Sequence, residues 1–269
     1  MRKTMREAML LVGVAAFGLL TAPAFAEEAD KPTANATVGL FSKYVWRGEE
    51  LSHDSLVIQP SLTVGYKGFS ANVWNNADTH VDERLKALSN DTSKGNFDMN
   101  ETDFTLAYDW SVGKLGFSAG YIYYNLELAE DTQEVFLKSS VDTFLKPTIT
   151  VYRDIAGTPY WYVTGAISHS LPIKKDISLD LGAQVSYWAY DHAVDGPDAN
   201  DPGKAFSAFH DGLLSASVTL PVNKYVSVTP QLYYSFPLSA DASDRLKALN
   251  VASSDDSFVY GGVSVGLSF

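Results

Sequence analysis

The sequence predicts an all-β protein: a transmembrane antiparallel up-and-down β-barrel of about twelve strands. Three observations point there. The chain closes on FVYGGVSVGLSF (258–269), in which Val259, Gly261, Val263, Val265, Leu267 and Phe269 share one face and Phe258, Tyr260, Gly262, Ser264, Gly266 and Ser268 the other. That period of two is a strand with one apolar face. In a soluble domain such an edge has to be blunted, whereas a closed barrel holds a partner for it. The same alternation recurs upstream, with the second face small, polar or charged, as in barrels with a wet lumen. Finally, the chain carries an export segment and no run long enough for a membrane helix, leaving a secreted soluble protein or a barrel.

Residues 1–26 read as a cleaved signal peptide. Arg2, Lys3 and Arg6 form its basic end, 8–20 an apolar run of thirteen, and Ala24-Phe25-Ala26 the small-x-small cleavage site. Their removal leaves 17 basic and 31 acidic residues, a net charge of about −14. Such a balance argues against nucleic acid as a partner. With no cysteine, neither a disulfide framework nor a lipid-modified cysteine is available. Aromatic residues make up 13%, and barrels place them in interfacial girdles.

Residues 27–36 are polar and read as a periplasmic lead to a barrel spanning 37–269. The first strand is expected over 38–47, with Val38, Leu40, Tyr44 and Trp46 toward lipid and Lys43 and Arg47 toward the lumen. Residues 55–66 alternate more cleanly, and Lys67-Gly68 turns them into a third strand at 69–76. Strands at 101–110 and 115–124 set carboxylates against large aromatics, which is costly in a dry core and natural beside a lumen. The sixth covers 134–142, the seventh 148–153, the eighth 160–171, the ninth 177–188, the tenth 211–220 and the eleventh 226–235. Pro147 and weak alternation make 143–157 the least regular stretch.

With both termini on one side, five connections on that side should be short, and those near 67, 111–114, 143–146, 172–176 and 221–225 are five residues or fewer. Outer loops near 77–100, 189–204 and 237–257 are long, the asymmetry of outer-membrane barrels. Two of them share a hexamer, ERLKAL at 83–88 and DRLKAL at 244–249, each expected as a short helix with an acid at its start.

Two segments, SKYVWRG (42–48) and 142–172 (DTFLKPTITVYRDIAGTPYWYVTGAISHSLP), resemble conserved portions of the TorF-like porin family of bacterial outer-membrane β-barrels. That resemblance implies an outer-membrane barrel of transport function; it brings no catalytic or ligand residues.

At about 4.8 Å between strands and a tilt of about 40°, twelve strands give a backbone radius of roughly 12 Å and a pore of roughly 5–6 Å radius unless a loop folds in. On the expected register Lys43, Arg47 and Lys138 face inward with Glu101, Asp103, Asp109, Glu134, Asp142, Asp180 and Asp211. An acidic lumen favours cations; cross-lumen pairing is the plainer role. Trp74, Tyr124, Tyr152, Tyr162, Trp188 and Tyr233 also point inward, to stack on solutes or simply to fill the barrel. The terminal Phe269 resembles the signal read by the barrel-assembly machinery.

An enzyme would need a nucleophile, a base and an orienting group. His169 lies between Ser168 and Ser170, but neighbours on a strand point to opposite faces; His53 and Asp54 beside Ser52 and Ser55 fit a polar turn equally well. Loop oxygens at Asp191, Asp195, Asp198, Asn200 and Asp201 are of the kind calcium takes, without its loop spacing. The expectation is therefore a channel for passive diffusion of small hydrophilic solutes, with no cofactor and no reaction, embedded in lipid and lipopolysaccharide. The alternative is a non-conducting structural or adhesive protein acting through its outer loops.

Overall fold

The computed structural model describes residues 31–81, 97–127, 129–174 and 176–269; the signal peptide, the 83–88 hexamer and most of the 77–100 loop lie outside these. Twelve long antiparallel strands close into one barrel: β1 (Thr33–Phe41), β4 (Val57–Tyr66), β5 (Phe69–Asp78), β6 (Asp98–Val112), β7 (Leu115–Leu126), β8 (Thr132–Val141), β9 (Thr148–Asp154), β10 (Tyr160–Lys174), β11 (Ile177–Tyr190), β12 (Ser207–Val218), β14 (Val226–Pro237) and β15 (Phe258–Ser268). Each pairs with its sequence neighbour, two-residue β13 (Leu220–Pro221) extends the β14 edge, and β15 closes the ring on β1. The terminal strand thus has partners on both sides, and Ala34 and Phe269 exchange backbone hydrogen bonds of 3.2 and 2.9 Å at the seam. Closure leaves the barrel sheet no open edge among the described residues.

The outer surface is apolar. Leu62, Val64, Leu106, Leu137, Val185, Leu232 and Val265 are 40–59% exposed and spread around the ring, far beyond the few hundred Å² of contiguous apolar surface a soluble monomer shows. Tyr108, Trp110 and Phe117 stack in sequence near one end. This is a surface made for hydrocarbon with an aromatic margin.

One end carries tight turns, the start of β1 and the end of β15. Lys67 (φ 50°) and Gly68 (φ 81°) turn β4 into β5 with both central residues left-handed, the arrangement whose twist matches the strands. The other end carries the long connections, although 127–131 and 155–159 are only five residues each. Over the long-loop end lies α1 (Ala240–Leu249), which contains the 244–249 hexamer; Ser239 caps it by accepting from the Ala242 N–H.

The first strand departs from expectation. It starts at Thr33, inside the expected 27–36 lead, and ends at Phe41 rather than Arg47. Ser42 still bonds β15, its N–H donating to the Gly261 carbonyl at 2.9 Å; the chain then turns into the lumen. Residues Val45–Trp46 (β2) pair with Glu49–Glu50 (β3) around the Arg47-Gly48 turn. Lys43 and Arg47 are therefore on an inserted hairpin and not on the wall, and Tyr44 and Trp46, 5% and 0% exposed, do not meet lipid. A wall strand carrying four charges in eight residues would set Glu50 against hydrocarbon; folding inward pairs Glu50 with Lys43 and Arg47 with Glu134.

Candidate functional site: the lumen and its stopper

The barrel interior is graded along its axis. On β10 the inward residues Tyr160, Tyr162 and Thr164 are buried, Ala166 is intermediate, and Ser168 and Ser170 are exposed. Going the other way, β14 and β15 repeat the gradient, from half-exposed Thr229, Gln231 and Ser264 to buried Tyr233 and Tyr260. The turn end is a vestibule of small polar side chains. The loop end is plugged: Trp46, Tyr124, Glu134, Trp188 and His210 are all 0% exposed.

Arg47 is the pin of that plug. Its guanidinium meets Glu134 through two parallel hydrogen bonds, both 2.9 Å, the fork-on-fork geometry that gives such pairs strength and direction. Tyr124 and Tyr160 donate to the same carboxylate at 2.7 and 2.8 Å. Rings flank the cation on several sides: Tyr162 at 4.0 Å, Trp46 at 4.4 Å, Tyr152 at 4.9 Å and Trp188 at 5.5 Å, all inside cation–π range. Arg47 holds φ 47° beside Gly48 at φ 85°, so a non-glycine residue sits in a left-handed turn costing about 1–3 kcal/mol. Contacts with the wall keep it there.

The hairpin is also clamped from above. Gly48 packs against Leu246 of α1, and an added Cβ would come within 3.0 Å of the Leu246 side chain. Asn250, at the end of α1, accepts from the Glu50 N–H at 2.7 Å and donates to the Asp255 carbonyl at 2.8 Å. His210 Nε2 meets the Arg47 carbonyl at 3.1 Å. Lys43 pairs with Glu50, and His53 Nδ1 lies 3.1 Å from the same carboxylate. Replacing Asn250 with alanine leaves the buried Glu50 N–H without its acceptor, at about 1–3 kcal/mol. Faster protease cleavage within 42–54 of the folded barrel is the expected result, and an unchanged rate would show that α1 does not hold the hairpin.

Glu49 makes docking sensitive to pH. Burial pushes its carboxyl up to about 7, with the Arg245 and Arg47 guanidiniums opposing and Asp211 reinforcing the shift. The docked hairpin therefore keeps a proton that a released one gives up between roughly pH 4.5 and 7. The contribution of Glu49 to docking is therefore largest in acid and falls by up to tenfold per pH unit as the pH rises through that window, then levels off. Glu49→Gln, which mimics the protonated form, should flatten the pH profile of hairpin proteolysis; a profile unchanged by that substitution would exclude Glu49 as its source.

The other sequence-derived positions divide between the two halves. Glu101, Asp103, Glu134 and Asp211 lie in the plugged half, each at most 4% exposed, as do Trp74, Tyr124, Tyr162, Trp188 and Tyr233. Tyr162 and Ser186 donate to Asp211 at 2.8 and 2.6 Å, and Tyr44 donates to Glu101 at 3.2 Å. Asp109, Lys138 and Asp180 face the vestibule; Asp180 accepts from Ser170 at 2.5 Å and from Ser178 at 3.2 Å. Sequence reasoning did not anticipate Arg245, whose guanidinium lies over Tyr190 at 4.9 Å and Phe206 at 5.0 Å, donating to the Tyr190 hydroxyl at 2.9 Å.

The histidines and loop acids are spread apart. His169 faces outward against Phe144, 4.0 Å between rings. His53 directs its second nitrogen to Asp54 at 3.3 Å, so carboxylates take both nitrogens and neither meets a serine. Asp191 pairs with Arg153, Asp201 with Lys204, and Asp198 accepts from the Asn200 and Asp201 backbone N–H groups. Among the described residues no group of three or more His, Asp or Glu is placed to hold a metal.

A closed ring of twelve strands, apolar outside, polar within and stoppered by a loop, defines a transmembrane β-barrel in an occluded state. The chain belongs to the family described as "Bacterial protein of unknown function (Gcw_chp)", whose model matches residues 26–172. That region contains both segments that resemble TorF-like porins, and the family shown is the one of the match. No curated protein matches the sequence. Among solved structures the chain is similar to the NanC porin, at 12% identity over 88% of this chain and 98% of that one, TM-score 0.50. It is similar as well to the COG4313 outer membrane channel from Pseudomonas putida F1, at 9% identity over 92% and 98%, TM-score 0.52. At such identities the likeness is one of fold.

Proposed function

We propose that the protein is an outer-membrane channel of the porin kind, as the resemblance to TorF-like porins implies, for passive diffusion of small hydrophilic solutes. The observation that carries this is the nature of the stopper. An eight-strand barrel is filled by its own wall side chains; here the wall leaves a polar vestibule, and a hairpin from one loop occludes the rest. The vestibule end, with the start of β1 and the end of β15, faces the periplasm, and the plugged end with α1 faces outward. Phe269, at the seam, is the feature the assembly machinery would read.

Withdrawal of the hairpin also sets selectivity. It would carry Lys43 and Arg47 out of the lumen and leave Glu101, Asp103, Glu134 and Asp211 on the wall, an acidic constriction that favours cations. The complete burial of the stopper supports a second reading, a permanently closed structural or adhesive barrel acting through its outer loops. Refolding the mature chain into planar bilayers and recording conductance in a salt gradient separates the two. Discrete openings with a cation-favouring reversal potential support the channel; anion preference removes the acidic-lumen argument; a correctly inserted barrel silent at every voltage and pH supports the structural protein.

A further inference from the structure

Arg47 occupies a place that the wall has built for it. The carboxylate comes from β8, the hydroxyls holding it from β7 and β10, and the rings from β9, β10 and β11. None of these belongs to the hairpin, apart from Trp46 packing alongside. Glu134 presents both oxygens in one plane to a planar fork, and Tyr162 lies 4.0 Å from the guanidinium carbon. This combination is more selective than a negative patch. A spherical ammonium cannot donate two parallel hydrogen bonds to one carboxylate and stack on a ring at once, whereas a guanidinium does both.

A second observation points to the same chemistry. Arg245, arriving from α1, brings another guanidinium within 5.7 Å of the Trp188 ring that Arg47 also approaches. Two separate loops thus place the same group on one aromatic wall. Resting on the channel reading, we propose that the Glu134 box of Tyr124, Tyr152, Tyr160, Tyr162 and Trp188 is a binding site for a guanidinium-bearing solute. Arg47 fills it in the closed barrel as an internal stand-in. A solute carrying that group competes with Arg47 for Glu134, takes the pin out of the hairpin, and is admitted by the channel it opens. The strained turn at Arg47 assists, because release lets that residue leave the left-handed region.

The test uses the mature barrel in lipid, with methylguanidinium chloride as probe and methylammonium chloride as control of equal charge. In the wild type, methylguanidinium at the loop side should raise open probability saturably, by at least tenfold, and methylammonium by less than threefold. Removing the competitor in Arg47→Ala should tighten methylguanidinium binding, read by tryptophan fluorescence, at least tenfold over wild type. Adding Glu134→Gln to that variant should weaken it at least tenfold. If Arg47→Ala does not assemble, Arg47→Lys, which keeps the charge and loses the fork, carries the same titration. Equal responses to the two cations, or binding indifferent to Glu134, would overturn the proposal and leave Arg47 as a latch. Discriminating binding without conductance would retain the site and refute the channel; conductance without discrimination would do the reverse.

Discussion

Arg47→Ala is expected to convert an occluded barrel into a conducting one, raising open probability in planar bilayers by about a hundredfold while lowering thermal stability. Removing one partner of a buried ion pair costs about 3–5 kcal/mol, because the other charge stays behind uncompensated. Here that charge is Glu134, 0% exposed and already accepting from Tyr124 and Tyr160. The same substitution removes the ring contacts of the guanidinium, each worth about 0.5–2 kcal/mol. What then holds the hairpin is the Asn250 clamp, the His210 contact with the Arg47 carbonyl and the burial of Trp46. The wall ladder is untouched, so the barrel itself should still assemble and keep its strand content. A variant as silent as the wild type, with the hairpin equally resistant to protease, would show that Arg47 is not the pin.

Trp188→Ala should be the most destabilising loss of an uncharged side chain in the lumen, at about 3–5 kcal/mol. Its ring is 0% exposed and lies within 6 Å of those of Trp46, Tyr160, Tyr162, Tyr190 and His210. Both arginine cages share it, so the cavity would loosen the hairpin and α1 together. The matched comparison is Leu62→Ala on the outer face, where the side chain is 51% exposed and surrounded by hydrocarbon, at about 1 kcal/mol or less. Urea unfolding in lipid vesicles gives both values. Equal losses would mean that the plug is not the core of this molecule. The contrast follows from an inverted architecture: large apolar side chains outside are solvated by lipid in either state, while the rings inside have only one another.

Much of this was legible in the chain because barrel strands announce themselves by a rule that is local and repeated. Val57–Tyr66 and Ile177–Tyr190 alternate without interruption, and a one-residue slip would turn every leucine into the lumen. Even Thr148–Asp154, weakened by Pro147, forms, since the proline falls before the strand rather than in it. The short turns and long loops sorted by end for the same reason.

The stopper was not legible. Residues 43–47 alternate as a wall strand does, and nothing in their order says that the chain leaves the wall at Ser42. The hints were the glycine at 48, whose positive φ a two-residue turn needs, and Glu50, which the strand register would have set against lipid. Thus the sequence alone determined the barrel, the positions of its strands after the first, the apolar outer face and the inward direction of Glu134, Tyr162 and Trp188, since a period of two needs no knowledge of distant residues. Only the tertiary structure decided what fills the lumen. Arg47 finds its partner 87 residues away and its clamp some 200 residues away, and an ion pair between segments so far apart leaves no period in either one.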